Sequence, residues 1–171
     1  MTTFYAVAAG AAATLVGLLF VAVQIGPPLT TSGAIGRRHA MARSTFTIFA
    51  LLLALSMYLL LPYQPAEARA LVILAASVLG AVRAVRTWLP VWRDKFQGRT
   101  QFRIWQTAWL LIAPLIAYGF MVLAAVEQLH TTDSTALDKG TVPWMITLLV
   151  IGVRNSWSLL VEGTRGEAPT A

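Results

Sequence analysis

Long apolar runs separated by short polar segments constrain the fold of this chain more than any other feature. Five such runs cover about residues 4–25, 45–61, 70–89, 104–126 and 142–161. A helix needs roughly 20 predominantly apolar residues to cross the hydrocarbon core of a bilayer, and in lipid a helix satisfies its own backbone hydrogen bonds. The sequence therefore predicts an all-α, polytopic membrane helix bundle with five transmembrane helices, forming one domain that ends in a disordered tail at 162–171.

The charge content excludes an ordinary soluble domain. Only 12% of the residues are charged and the mean hydropathy is +0.69, whereas soluble domains carry about 25% charged residues. The net charge of +6 does not indicate nucleic-acid binding, because the basic residues stand at the ends of the apolar runs. There they set topology and contact anionic lipid headgroups. The absence of cysteine excludes disulfides and thiol catalysis.

The basic residues alternate between loops and predict the orientation of the spans. Counting lysine and arginine, and taking the second loop as residues 63–68, the four loops in chain order carry three, none, four and one. Basic loops stay on the cytoplasmic side, so we expect the N-terminus outside and the C-terminus in the cytoplasm. The basic residues of the first and third loops are Arg37, Arg38, Arg43, Arg93, Lys95, Arg99 and Arg103.

Two further patterns predict where the spans meet the membrane surface and how they pack against one another. The stretch 79–93, LGAVRAVRTWLPVWR, ends in Trp88, Trp92 and Arg93, a combination typical of a membrane–water interface. Small residues recur at helical spacing in the first and third spans, which predicts close helix packing. We interpret these lines as seams inside one chain; they are Ala6, Gly10 and Thr14, then Ala9, Ala13 and Gly17, and in the third span Ala76, Gly80 and Ala84.

The sequence carries no constellation that indicates catalysis. His39 and His130 fall on opposite sides of the membrane in the predicted topology, so they cannot share a metal within one chain. No nucleophile elbow, phosphate-binding loop or dinucleotide fingerprint is present. We therefore expect a protein that is not an enzyme and that needs neither a metal nor a cofactor.

Arginines inside the predicted spans are the strongest candidates for binding. Arg83 lies roughly 9 Å and Arg154 roughly 10 Å inside the cytoplasmic boundary, at 1.5 Å per residue, and Arg86 lies closer to it. In one interpretation these side chains reach lipid phosphates or cap carbonyls, with Asn155 hydrogen-bonding between helices. In the other, Arg83, Arg86, Arg154 and Asn155 form a site for an anion, a lipid headgroup or an acidic segment of a partner.

The runs GAAATLVGLLFVAVQI (10–25) and RNSWSLLVE (154–162), together with the arginine-flanked start of the second span, carry a resemblance to known proteins. The chain resembles short uncharacterised bacterial multi-spanning integral membrane proteins of the actinobacterial type. This resemblance extends over the whole chain and implies a location in the bacterial inner membrane. It implies no activity and no functional residues.

Two functions remain open from the sequence. The first is a non-enzymatic accessory, regulatory or oligomerising subunit, with a second copy or a membrane protein as partner in addition to the lipid bilayer and its anionic headgroups; nucleic acid is not an expected partner. The alternative is a small transporter or oligomeric channel for an anionic solute, using the arginine cluster. The small-residue lines favour the first function, and the unpaired arginines favour the second.

Overall fold

Helices account for nearly all of the chain that the structure describes. The computed structural model describes residues 2–25, 32–96, 104–130 and 134–165. Within them lie five α-helices, with one short turn at residues 61–65 between the second and the third. The helices are α1 (Thr2–Ile25), α2 (Ser32–Leu60), α3 (Ala66–Phe96), α4 (Ile104–His130) and α5 (Ser134–Arg165).

Helices α2 to α5 form a closed four-helix ring, and α1 packs outside it. In the ring α2 contacts α3, α3 contacts α4, α4 contacts α5, and α5 returns to α2. Neighbours in the ring are antiparallel: Tyr118 of α4 packs on Gly80 of α3, and Phe49 of α2 packs on Gly152 of α5. Helix α1 lies mainly against α2 and touches α5 only slightly.

Helices α3 and α5 each bury one narrow seam, whereas α2 buries a broader face because it contacts three helices. On α5 the buried residues follow alternating steps of four and three, the spacing that keeps one face of a helix turned towards antiparallel neighbours. Glycines let helices approach closely, since a Cβ on Gly140 would meet Ala124 of α4. Next to that contact, Phe120 stacks on Trp144 with ring centroids 4.2 Å apart. The α5 seam comprises Thr141, Met145, Leu148, Gly152, Asn155 and Leu159.

The small-residue lines behave differently on the two helices that carry them. On α3 the prediction is confirmed, because Gly80 and Ala84 are buried and Gly80 receives the Tyr118 ring. On α1 the prediction of an internal seam is wrong for all but Ala9. Helix α1 instead turns inward the face that carries Tyr5 and Leu19, together with Ala8, Ala9 and Ala12. The remaining small residues are consequently exposed; they are Ala6, Gly10, Ala13, Thr14 and Gly17.

The helices extend beyond the predicted spans. Helix α2 begins at Ser32 rather than near residue 45, and α5 begins at Ser134 and continues to Arg165, into the segment predicted as a disordered tail. Helix α3 continues through Pro90 to Phe96 instead of ending before the proline. Hydropathy marks where a helix leaves the bilayer, whereas the backbone hydrogen bonds of a helix continue into water. The rest of the tail, 166–171, lies outside the described residues.

Within the residues that the structure describes, four helices are long and apolar enough to cross a membrane. Their apolar windows are Thr3–Val21, Ala40–Leu60, Ala66–Pro90 and Leu111–His130. Helix α5 is as long as the others. The polar residues Arg154, Asn155 and Ser156 interrupt its apolar run, and its side chains from residue 160 onwards lie outside the described part of the chain.

Candidate functional site

One end of the ring is basic. The antiparallel pairs place the start of α2, the end of α3, the start of α4 and the end of α5 together. Among the side chains that the structure describes, every charged residue at this end is an arginine, whereas the opposite end mixes both signs. The basic end carries Arg43, Arg83, Arg86, Arg93 and Arg154, and the opposite end carries Glu67, Arg69, Glu127, His130 and Lys139.

The residues predicted as a binding site lie at this basic end but do not form a single cluster. Arg83 and Arg86 are exposed on α3, and Arg154 is exposed on α5. Helices α3 and α5 are opposite corners of the ring, so these arginines project from different sides of the bundle. Asn155 is 1% exposed and faces the ring interior, away from the exposed side of α5 that carries Arg154.

Arg83 lines a polar groove between α2, α3 and α4. Thr87 follows Arg83 by one turn of α3, while Ser44 and Thr47 project from α2 and Tyr118 from α4. Gly80, Ala84 and Pro114 complete the floor with Ile48. The groove has an empty volume of about 210 Å³ including its open mouth, but its enclosed part is only about 10 Å³. That enclosed part holds about one water molecule, so a larger ligand must lie at the mouth.

Sequence reasoning found Arg83 but missed the side chains around it. The predicted second span begins at residue 45 and so excludes Ser44, whereas Ser44 and Thr47 both lie well within α2. The signal that points to them is the four-residue spacing of Arg43 and Thr47 on α2 and of Arg83 and Thr87 on α3, which places each pair on one helix face. Thr47 donates its hydroxyl hydrogen to the Arg43 carbonyl at 2.9 Å.

Buried polar side chains lie inside the ring near the same end. Phe49 packs on Gly152, and one helical turn further towards the basic end stand Thr45 and Asn155, which face the same antiparallel interface. Both are fully buried, and Thr45 Oγ1 and Asn155 Nδ2 have no protein hydrogen-bond partner. Ser156, the next residue of α5, donates its hydroxyl hydrogen to the Gly152 carbonyl of its own helix at 3.0 Å.

Trp88 corrects the interpretation of the stretch 79–93 as an interface anchor. Its side chain is 0% exposed and belongs to the core, and its Nε1–H has no partner in the protein. Trp88 continues the α3 seam one turn beyond Ala84, so the helical period rather than the nearby arginines decides its position. Arg93 is exposed as expected, and the side chain of Trp92 lies outside the described residues.

The outer face of α1 is the second candidate surface. Ala6, Gly10, Ala13 and Gly17 follow steps of four, three and four, so at 3.6 residues per turn they fall on one line. No atom lies within 4 Å of the position that a Cβ would take on Gly10 or Gly17. This line is therefore open to a neighbouring molecule.

Comparison with known proteins adds no assignment. No protein-family model matches the chain, and neither the curated proteins nor the solved structures include a match. Within the described residues, no group of three histidine, cysteine, aspartate or glutamate side chains is placed to hold a metal ion. The candidate sites are therefore judged on their geometry alone.

Proposed function

We propose that this protein is a non-enzymatic multi-pass membrane subunit that associates with a second copy of itself through the outer face of α1. The exposed line of Ala6, Gly10, Ala13 and Gly17 carries this proposal. Helix α1 is also the least enclosed span, with 22% of its apolar window buried against 44% for α2.

The chemistry of helix association in lipid supports this assignment. Lipid tails are as apolar as leucine, so membrane helices associate through close packing rather than through the hydrophobic effect. Glycine and alanine allow two backbones to approach, which gives van der Waals contact that a lipid chain cannot match. A face of α1 that contacted only lipid would gain no packing from two glycines in line.

We also propose that all five helices cross the membrane, with the basic end of the ring in the cytoplasm and the N-terminus outside. The concentration of arginine at that end supports this orientation. Trp109 of α4 and Trp157 of α5 are exposed there, as expected for side chains at an interface. Helix α5 lies antiparallel to both α4 and α2, which supports a fifth crossing, and a bacterial plasma membrane is the setting that we propose.

The interior of the ring favours a subunit over a transporter of anionic solutes. Between the described helices the interior is filled by large apolar side chains rather than by a water-filled passage; they include Phe49, Leu52, Met121, Met145 and Leu148. The exposed arginines of α3 and α5 lie outside this interior. Transport through one chain would require the packed core to open.

Cysteine crosslinking tests the association directly, because the chain contains no cysteine. The variant Ala13→Cys, reconstituted in lipid at high dilution, should form a disulfide-linked dimer on oxidation. Leu123→Cys is the matched control, because Leu123 is exposed on α4 away from α1. Equal crosslinking of both variants, or of neither, would contradict the proposal.

Bulky substitutions supply a second measurement that needs no crosslink. Gly17→Leu should weaken dimerisation about tenfold or more, since loss of roughly 1.4 kcal/mol of packing corresponds to a factor of ten. Gly119→Leu is the control, because no atom lies within 4 Å of a Cβ at Gly119 on α4. Single-molecule photobleaching in vesicles reads out the dimer fraction, and a monomeric unmodified protein at all lipid dilutions would overturn the assignment.

A further inference from the structure

The groove lined by Arg83 has the composition of an anion site at a membrane boundary. Arg83 brings a permanent positive charge, and Ser44, Thr87 and Tyr118 bring hydroxyl groups from three different helices. No described acidic side chain lies at this end of the bundle to neutralise Arg83. Guanidinium groups form their strongest hydrogen bonds with carboxylates and phosphates, so the chemistry of the groove suits an anion.

The depth of the groove limits which anion reaches it. Arg83 stands six residues before the end of the predicted third span at residue 89, which is roughly 9 Å along the helix axis. Ser44 stands at the start of the predicted second span, next to residue 45. An arginine side chain extends towards the boundary from such a depth, so its guanidinium meets the phosphates of the lipid leaflet.

The shape of the groove favours a ligand that remains anchored outside it. The enclosed part is about 10 Å³, too small to hold a phosphate group whole. A lipid places its phosphate at the mouth of the groove while its acyl chains stay in the bilayer. Exposed apolar side chains on α3 beside the groove, including Val82 and Leu79, offer those chains a surface.

We propose that this groove binds the phosphate group of an anionic lipid, with Arg83 as the principal contact and Ser44 and Thr87 as hydroxyl donors. The shared chemistry is a phosphate anion, and the anionic lipid headgroup is its source in the membrane. The basic end as a whole is also attracted to an anionic membrane surface. The groove adds a localised contact that depends on Arg83.

The test compares two arginines on the same helix. Arg83 lines the groove, whereas Arg86, one turn away and equally exposed, is not among its lining residues. Native mass spectrometry of detergent-solubilised protein titrated with dioleoylphosphatidylglycerol gives the affinity of each variant. Arg83→Gln should weaken the first lipid-binding step about tenfold, and Arg86→Gln should change it by less than about threefold, because it removes the same charge without the groove contact.

Further measurements distinguish a lipid from free phosphate as the ligand, and loss of binding from loss of stability. Thr87→Val keeps the side-chain shape and should weaken binding about threefold, with an unchanged thermal transition in the absence of added lipid. Inorganic phosphate at millimolar concentration should not compete with the lipid; competition that requires Arg83 would instead assign the groove to free phosphate and overturn the lipid assignment. Equal losses for Arg83→Gln and Arg86→Gln, or no loss for either, would overturn the site.

Discussion

Single glycines decide how closely the ring helices approach. A Cβ on Gly80 would lie 2.5 Å from two ring carbons of Tyr118, closer than van der Waals contact allows. Tyr118 is itself buried between α3 and α4 and lines the polar groove. A larger residue at position 80 must therefore move both the helix interface and the groove.

The variant Gly80→Ala should lower the free energy of unfolding by about 1–3 kcal/mol, the usual cost of forcing an extra methyl group into a packed core. Its control is Gly119→Ala on the facing helix, where nothing lies within 4 Å of the new methyl group. That change should leave stability unchanged or raise it by up to about 1 kcal/mol, since alanine is the better helix former. Reversible unfolding in mixed micelles measures both, and equal stabilities would show that Tyr118 moves away without cost.

At the same scale, the residues of the candidate groove were only partly predictable. Arg83 could be predicted from the sequence alone, because a charge within an apolar run is costly in a membrane. Ser44 and Thr87 gave no such signal, because a hydroxyl in a membrane helix bonds its own backbone and is common there. Their relevance comes from the packing of α2 against α3, which depends on contacts distant in sequence.

The existence of the helices could be predicted, because it depends on composition. The face that α1 buries was mispredicted, because it depends on packing. The five apolar runs gave the five helices, because each run is long enough to exclude other structures in lipid. Which face of α1 turns inward was predicted wrongly, since the small residues Gly10 and Gly17 suit an internal seam and an external one equally. The choice depends on Tyr5 and Leu19 fitting against the ring, which the spacing of small residues does not encode.

Helix α5 is the element whose crossing most needs a direct measurement. Its polar residues 154–156 interrupt the apolar run, yet Asn155 is buried in the ring and Ser156 bonds its own backbone. Because these groups do not face lipid, their cost in a spanning helix is smaller than hydropathy implies. We therefore expect α5 to cross.

Single cysteines in this cysteine-free chain read out that crossing. In intact cells a membrane-impermeant maleimide should label Tyr63→Cys, in the fully exposed turn between α2 and α3, and also Lys139→Cys. It should label Arg93→Cys and Ala171→Cys only after the membrane is permeabilised. Labelling of Ala171→Cys in intact cells together with Lys139→Cys would show that α5 returns to the side from which it entered.

At the scale of the whole molecule, the ring and α1 have separate roles. The ring closes through contact between α2 and α5 without help from α1, and the basic end with its groove belongs to the ring alone. Helix α1 adds a lipid-facing surface and covers part of α2. The fold thus divides into a closed body that contacts the membrane boundary and an outer helix that is available for association.

This division predicts that a chain beginning at Gly26 still folds. It keeps all four ring helices and the arginines near the start of α2 that hold that end in the cytoplasm. We expect a cooperative thermal transition in detergent, lower by roughly 5–10 °C, since about 1 kcal/mol corresponds to 2–4 °C in a chain of this size. Lipid binding at the Arg83 groove should persist, while dimerisation should be lost.

The matched truncation removes α5, a member of the ring, by ending the chain at residue 133. Opening the ring exposes the seams of α2 and α4 that α5 covers, so this chain should lose its cooperative transition. Circular dichroism and near-ultraviolet signals followed through heating distinguish the two truncated chains. If both truncated chains unfold alike, the ring needs α1 in order to fold. The division into a self-sufficient ring and an outer helix for association is then wrong.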